Sequence, residues 1–266
     1  MKQAILAKLD AECPTRDTLH WFDSIESTNT YAKQMAAQGA PQGTVVIAGH
    51  QTGGRGRLGR SFSSPAGMGI YLSFILRPRC RPQEMMHLTC AAAVAACDAV
   101  QAAVGLHPQI KWTNDLVIGC KKLGGILTEL SVDGKTGLVD FAVIGIGINC
   151  SQNEADFPED IRHMAVSLST ACEKPISRST VAATLIDELN KIAARFLTDR
   201  KEIIDRYRNL CITIGKKILV LRGGQSRYGK ALDVDPEGGL IVEYPDGSQE
   251  TVTSGEVSVR GMYGYI

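Results

Sequence analysis

Ten residues, Gln51-Thr52-Gly53-Gly54-Arg55-Gly56-Arg57-Leu58-Gly59-Arg60, hold four glycines and three arginines, and Ser61-Phe62-Ser63-Ser64-Pro65 follow them. Glycine lets a backbone approach a ligand closely and take positive φ, while arginine presents a planar, permanently charged fork matched to phosphate and carboxylate oxygens. The stretch reads as a mobile, amide-rich, cationic loop whose natural guest is an anion. Gly54, Gly56 and Gly59 also satisfy G-x-G-x-x-G, but a dinucleotide site needs a helix after the glycines and an acidic residue about 20 positions further on. Residues 44–48 and 69–76 both read as strands, so this loop joins two strands and the dinucleotide reading lacks its helix. A solvated glycine-rich turn with stray arginines is the plain alternative.

Other reactive types gather at a few places. Lys111, Asn114 and Asp115 interrupt an apolar run, Lys122 follows a short turn, and Asn149 ends a long apolar strand pattern. With the loop arginines they supply cations and amides near the strand ends of one sheet. The histidines at 20, 50, 87, 107 and 163 are scattered, and none stands beside a serine or cysteine in a hydrolase context. Cations without a nucleophile suit phosphoryl or nucleotidyl transfer, where positioning and charge stabilisation do most of the work. Ser27-Thr28-Asn29 precedes a helical pattern; capping that helix is its simplest role, although its hydroxyls and amide could also hold a small polar head group.

The elements that must position these residues follow from periodicity. Residues 2–12 read as a helix ending near Pro14, and residues 1–19 are too few for a DNA-reading domain. A strand is expected at 20–25 and a helix at 31–38 closed by Gly39. Pro82 opens a long alanine-rich helix that Gly105 stops, with Met85 and Met86 read as core filler. Residues 109–118 read as a strand interrupted by Asn114-Asp115, returning as a hairpin through 122–130 and again through 138–149. Glycines 124, 125, 145 and 147 leave room on that sheet for a flat ligand or a closely packed helix. Residues 150–178 are irregular and polar. Helices are expected from Ser179 and over 201–210, and five short strands after Cys211 (217–221, 227–234, 240–244, 249–252 and 257–260) suggest a small β-barrel.

The 266 residues allow one large domain and a small one, and 44% hydrophobic residues is ordinary for a globular chain. A net charge of +1 gives no general reason to expect nucleic acid or a membrane surface as partner. The eight cysteines form no C-x-x-C pair and no zinc-ligand cluster, which points to reduced core thiols and a cytoplasmic location. No targeting segment is expected at the N-terminus, and no run is expected to span a membrane.

Gly54-Arg55-Gly56-Arg57-Leu58-Gly59-Arg60, Lys111-Trp112-Thr113-Asn114-Asp115, Lys122-Leu123-Gly124-Gly125-Ile126-Leu127 and Ile144-Gly145-Ile146-Gly147-Ile148-Asn149, in this order and spacing, resemble the biotin–protein ligases. Ser27-Thr28-Asn29 fits as well, and the end of the chain, Ser254-Gly255-Glu256-Val257-Ser258-Val259-Arg260, resembles that family's small C-terminal domain. The departure is Thr113, where the family usually has proline. The resemblance implies an α+β fold: a mixed, largely antiparallel sheet flanked by helices, with a C-terminal SH3-like β-barrel. Its expected divisions are an N-terminal helical extension at 1–19, a catalytic domain at 20–210 and the barrel at 211–266.

The resemblance further implies ATP and Mg²⁺ acting with biotin, and a biotin carboxyl carrier protein or domain as partner; the antiparallel strands suggest that it docks by strand addition at a sheet edge. It assigns Ser27, Thr28, Asn29, Gln51, Arg55, Gly56, Arg57 and Lys122 to biotin, and Arg57, Arg60, Asn114, Asp115, Asn149 and Arg260 to the nucleotide. Arg55, Arg57 and Lys122 would offset the repulsion between carboxylate and phosphate, and Phe62 is either an apolar clasp or a core residue. The magnesium ligands and the oligomeric state stay open, with a homodimer allowed. The rivals are a lipoate ligase or octanoyl transferase, and a non-catalytic sensor or repressor.

Overall fold

The computed structural model describes residues 1–222, 224–253 and 256–259. In chain order, α1 (Lys2–Leu6) and a 3-10 turn (Pro14–Asp17) lead into β1 (Leu19–Phe22), α2 (Thr28–Ala37), β2 (Val45–Ala48) and β3 (Gly69–Leu76). Next come α3 (Leu88–Val104), β4 (Gln109–Lys111), β5 (Asp115–Ile118), β6 (Lys121–Val132) and β7 (Val139–Asn149). The helices α4 (Leu168–Cys172), α5 (Arg178–Arg195) and α6 (Arg200–Leu210) precede β8 (Lys217–Arg222), β9 (Gln225–Val234), β10 (Leu240–Glu243), β11 (Gln249–Val252) and β12 (Glu256–Val259).

The first sheet runs β1-β2-β3-β7-β6-β5-β4; β1 and β2 are parallel and every other pair is antiparallel. Side chains alternate across it. Ile70, Leu72, Phe74 and Leu76 of β3 and Ala142, Ile144, Ile146 and Ile148 of β7 join the main core beneath α3 and α5. Ile75 and Val143 face the other way and form a smaller core with Ala32 and Ala36 of α2. Gly145, Gly147 and Asn149 fall on this second face by the same alternation. One period-2 register thus sends large aliphatics to the helices and leaves a glycine-floored surface near the start of α2.

The helices follow their sequence cues. Ser27 caps α2, its Oγ accepting from the Thr30 amide at 3.4 Å. Ser177 caps α5 in the same way, and Gly105 ends α3 with φ of 76°. Ala91, Ala92, Ala93, Ala95, Ala96 and Ala99 of α3 are at most 1% exposed, and these small side chains let α5 and α6 approach closely.

Several expectations are corrected. The N-terminal helix stops at Leu6 rather than Glu12, because Arg16 Nη1 donates to the Leu6 and Leu9 carbonyls and Asp10 Oδ1 takes the Glu12 amide. The first strand ends at Phe22, and α2 begins at Thr28. Pro82 opens a separate 3-10 turn before α3; Met85 is core but Met86 is exposed. The interrupted strand at 109–118 is two strands, β4 and β5, paired antiparallel about a bend at residues 112–114 whose Trp112–Thr113 peptide is cis. The segment Pro82–Val104 is long and apolar enough to cross a membrane, against expectation, but most of it is buried in the core.

The C-terminal strands form an antiparallel sheet in the order β11-β10-β9-β8-β12. Four of the five expected strands sit within two residues of their expected places; the fifth was expected to reach Arg260, which lies outside the described residues.

Candidate active site

A cavity of about 770 Å³ opens over the second face of the large sheet, between the 51–62 loop, the start of α2, the bend at 112–114 and the segment 157–165. The loop is folded on itself: Phe62 N donates to Gly54 O at 2.9 Å, Gly56 N to Arg60 O at 2.7 Å, and Arg55 bridges to Ser61. At its tip Leu58 takes φ of 55° and is 71% exposed. Arg55, Gly56, Arg57 and Arg60 all face the cavity.

The cationic end is built across three segments. Arg57 Nη1 donates to Asn114 Oδ1 at 3.0 Å, and Asn114 Nδ2 donates to Ile126 O at 3.0 Å, which ties the loop to the bend and the bend to β6. Lys122 Nζ donates to Asp115 Oδ1 at 2.6 Å, a partly buried ion pair lying above Gly125. Arg57 and Lys122 therefore reach one cavity through neighbouring residues of one bend. Lys111, 7% exposed, lies on the same wall. Arg55 stands at the rim of the cavity, half-exposed and 3.9 Å from Glu26.

The polar end is a hydrogen-bonded chain. Gln51 Oε1 accepts from the Thr28 amide at 2.9 Å and the Thr28 hydroxyl at 3.1 Å, so its side chain satisfies one of the open donors at the start of α2. Gln51 Nε2 donates to Ser64 Oγ at 2.9 Å, and Ser73 Oγ lies within hydrogen-bond distance of both Thr28 Oγ1 and Asn29 Oδ1. Asn29 Nδ2 donates to Leu127 O at 3.3 Å and to Glu129 Oε2 at 2.9 Å, while Lys33 Nζ reaches Glu129 Oε1 at 2.6 Å. Burial would raise the Glu129 carboxyl, but hydrogen bonds from Lys33 and Asn29 and the charges of Lys33 and Arg55 outweigh it and hold the group below its ordinary value.

The glycine-floored surface is partly filled. A Cβ at Gly145 would lie 2.1 Å from Asn29 Oδ1, and one at Gly147 would lie 2.4 Å from the Phe62 ring. The α2 alternative thus accounts for Gly145 and the loop for Gly147, whereas Gly125 faces the cavity beneath the Lys122–Asp115 pair. Phe62 is half-buried, edge-on to Tyr71 at 6.4 Å between centroids, and forms part of the cavity wall.

Asn149 lines the wall, but its amide is engaged by protein: Nδ2 donates to Val166 O at 3.2 Å and Oδ1 accepts from Gln152 at 3.3 Å. It braces the segment 165–166, which runs beside Lys122. Ser27 is 2% exposed and occupied with its cap, and Arg260 lies outside the described residues.

The motifs that fill this cavity are also those matched by known proteins. The sequence model of the biotin/lipoate A/B protein ligase family matches residues 21–149, and that of the biotin protein ligase C-terminal domain matches residues 213–260. A bifunctional ligase/repressor BirA of Bacillus spizizenii is 38% identical over 230 residues, covering 86% of this chain and 70% of that protein. The biotin–[acetyl-CoA-carboxylase] ligase of Mycobacterium tuberculosis is 34% identical over 237 residues, covering 87% and 85%. The chain belongs to the biotin protein ligases. Among solved structures, the Aquifex aeolicus biotin protein ligase in complex with biotin and ATP superposes with a TM-score of 0.76 at 28% identity, covering 91% of this chain and 98% of that one.

In this ligase fold the sequence reading missed Ser64, Ser73, Lys33 and Glu129, which hold the polar end, and Phe157, Ile161 and Met164, which form an apolar wall. Ser73 carried a signal, since it interrupts the otherwise apolar strand of residues 70–76. The wall carried none; its segment has no periodicity and is held at the cavity by distant partners, Ala165 pairing with Lys122 and Val166 bonding Lys122 and Asn149.

Proposed function

We propose that this chain is an ATP-dependent ligase that activates biotin as biotinyl-5′-AMP and transfers it to a lysine of a biotin carboxyl carrier domain. The observation that carries the reading is the joining of Arg57 and Lys122, through Asn114 and Asp115, at one end of a cavity whose other end is a fixed neutral donor and acceptor set. A biotin carboxylate attacks the α-phosphorus of ATP; an oxygen–phosphorus bond forms, the bond to the β-phosphate breaks, and pyrophosphate leaves. Two anions must meet for this, and Arg55, Arg57 and Lys122 offset their repulsion in a partly desolvated site. The carrier amine, having lost a proton, then attacks the biotinyl carbonyl, and AMP leaves.

Thr28, Gln51 and the backbone at the start of α2 are assigned to the biotin ring, with Ser27 and Asn29 acting behind them and Gly56 giving the loop close approach. Asn114, Asp115 and Arg60 serve the nucleotide, with Asn149 bracing that side. Asp115 and the exposed Asp160 are the carboxylates on the wall, and among the described residues no group of three His, Cys, Asp or Glu could hold a metal. This donor set fits Mg²⁺ arriving on the phosphates of ATP, where it would neutralise phosphate charge, better than a resident cage.

The divisions 20–210 and 211–266 are supported by the ranges of the two family matches and by the separate sheets, and an SH3-like barrel is the proposed form of the smaller unit. Residues 211–212 already pair with Ile110 at the β4 edge, which favours β1 as the edge of the larger sheet for carrier docking. A cytoplasmic location is supported by eight free cysteines, six of them buried. The deciding experiment is pyrophosphate release on mixing the protein with biotin and Mg·ATP. Release that needs biotin is expected; biotin binding with no release would leave a sensor, and release with lipoate instead would leave a lipoate ligase.

A further inference from the structure

The bend that carries Asn114 and Asp115 is held from outside its own sheet. The Trp112 amide donates to Thr213 Oγ1 at 2.9 Å, in a setting where Thr213 is fully buried. The Trp112 indole donates to Gly238 O at 2.9 Å, in the turn between β9 and β10, and the Tyr207 hydroxyl donates to Thr113 O at 3.1 Å. The Ile212 amide donates to Ile110 O at 2.9 Å, at the strand leading into the bend. Gly238 is itself fixed: its φ is 89°, and a Cβ there would lie 2.8 Å from Cys90 Sγ. Four contacts from residues 207–238 thus converge on three residues, Ile110, Trp112 and Thr113, and the next two side chains hold Arg57 and Lys122.

We infer that Thr213 is a positioning residue for the cationic end of the cavity, acting through Trp112 on the Asn114–Arg57 and Asp115–Lys122 pairs. The reason is geometric. Asn114 has both ends of its amide engaged, by Arg57 and by Ile126 O, so its side chain cannot follow a displaced backbone without losing one partner. The Trp112 amide is buried, and removing its acceptor leaves an unpaired donor that the backbone relieves by shifting. The polar end of the cavity shares none of these contacts, so the effect is confined to the end that meets phosphate.

The inference deepens the ligase reading and rests on it for the reaction step. The test compares Thr213→Val and Thr213→Ala, which remove the hydroxyl, with Thr213→Ser, which keeps it. Both losses are expected to slow biotin-dependent pyrophosphate release about tenfold, weaken the biotin Kd measured without ATP by no more than about twofold, and be reversed by serine. In an Arg57→Ala background the Thr213→Val loss is expected to shrink to about twofold or less, because the two residues act in series. Calorimetry with inorganic pyrophosphate reads the same placement without the reaction, and weaker binding in valine and alanine but not serine is expected even if the parent proves inactive as a ligase. A folded valine or alanine variant with parental pyrophosphate affinity overturns the inference. So does a loss that serine fails to reverse, that adds in full to Arg57→Ala, or that weakens biotin equally.

Discussion

The two ends of the cavity are held in different ways. At the polar end Thr28, Asn29, Gln51, Ser64 and Ser73 engage one another through mostly neutral hydrogen bonds, backed by the Glu129–Lys33 pair on the sheet. At the cationic end Arg57 and Lys122 rest on an amide oxygen and a carboxylate, acceptors that an incoming phosphate can replace. The first arrangement fixes a shape before anything binds. The second leaves strong charges on acceptors that a stronger anion is expected to displace. Affinity for the neutral part of a ligand should therefore be separable, by mutation, from the rate at which its acid is activated.

The largest effect is expected at the cationic end. Lys122→Ala or Arg57→Ala removes a charge-assisted contact of about 1.5–3 kcal/mol, roughly ten- to a hundredfold or somewhat more in pyrophosphate release. Quantifying release in a folded variant checks this, and a parental rate would remove that residue from the reaction. Thr28→Val should show the converse, raising the biotin Kd about tenfold by calorimetry while release at saturating biotin changes little. Equal losses in both quantities for both variants would mean that the two ends work as one unit.

Smaller effects test the supports. Gly147→Ala places a methyl 2.4 Å from the Phe62 ring, and the crowding should cost about 1–3 kcal/mol, lowering Tm by a few degrees. Phe62→Leu in the same chain should return part of that loss; no recovery would mean that the strain lies elsewhere. Smallest is the pH dependence at Glu129. Its carboxyl is held below the ordinary value of 4.5, so its stabilising contribution is complete above that pH and is lost as the pH falls through the lower folded value. Denaturant titrations of Glu129→Gln should show a flatter acid limb than the parent, and identical limbs would show that the carboxylate contributes nothing.

Much of this was legible because it depends on local rules. Apolar runs marked β3 and β7 as strands, Gly105 ended α3, and the turn glycines separated the C-terminal strands. The reading faltered where distant segments decide. Near residues 109–118 only the polar Asn114-Asp115 pair hints at a break, and it does not show that the chain reverses at 112–114, because most of the groups that hold the bend come from residues 207–238. Asn149 illustrates the limit within the site. Its residue type and motif suggested a nucleotide contact, whereas its amide is taken up by Val166 and Gln152, partners in a segment without recognisable pattern.

The alanine-rich face of α3 closes against α5 and α6, whose residues lie between 178 and 210. During translation that helix leaves the ribosome well before the chain that will cover it has been made. For that interval a greasy surface is open to whatever is nearby. A ribosome stall or premature stop between β7 and α5 would release a polypeptide carrying most of the catalytic motifs but lacking the cover of its own interior, a ready client for chaperones and proteases.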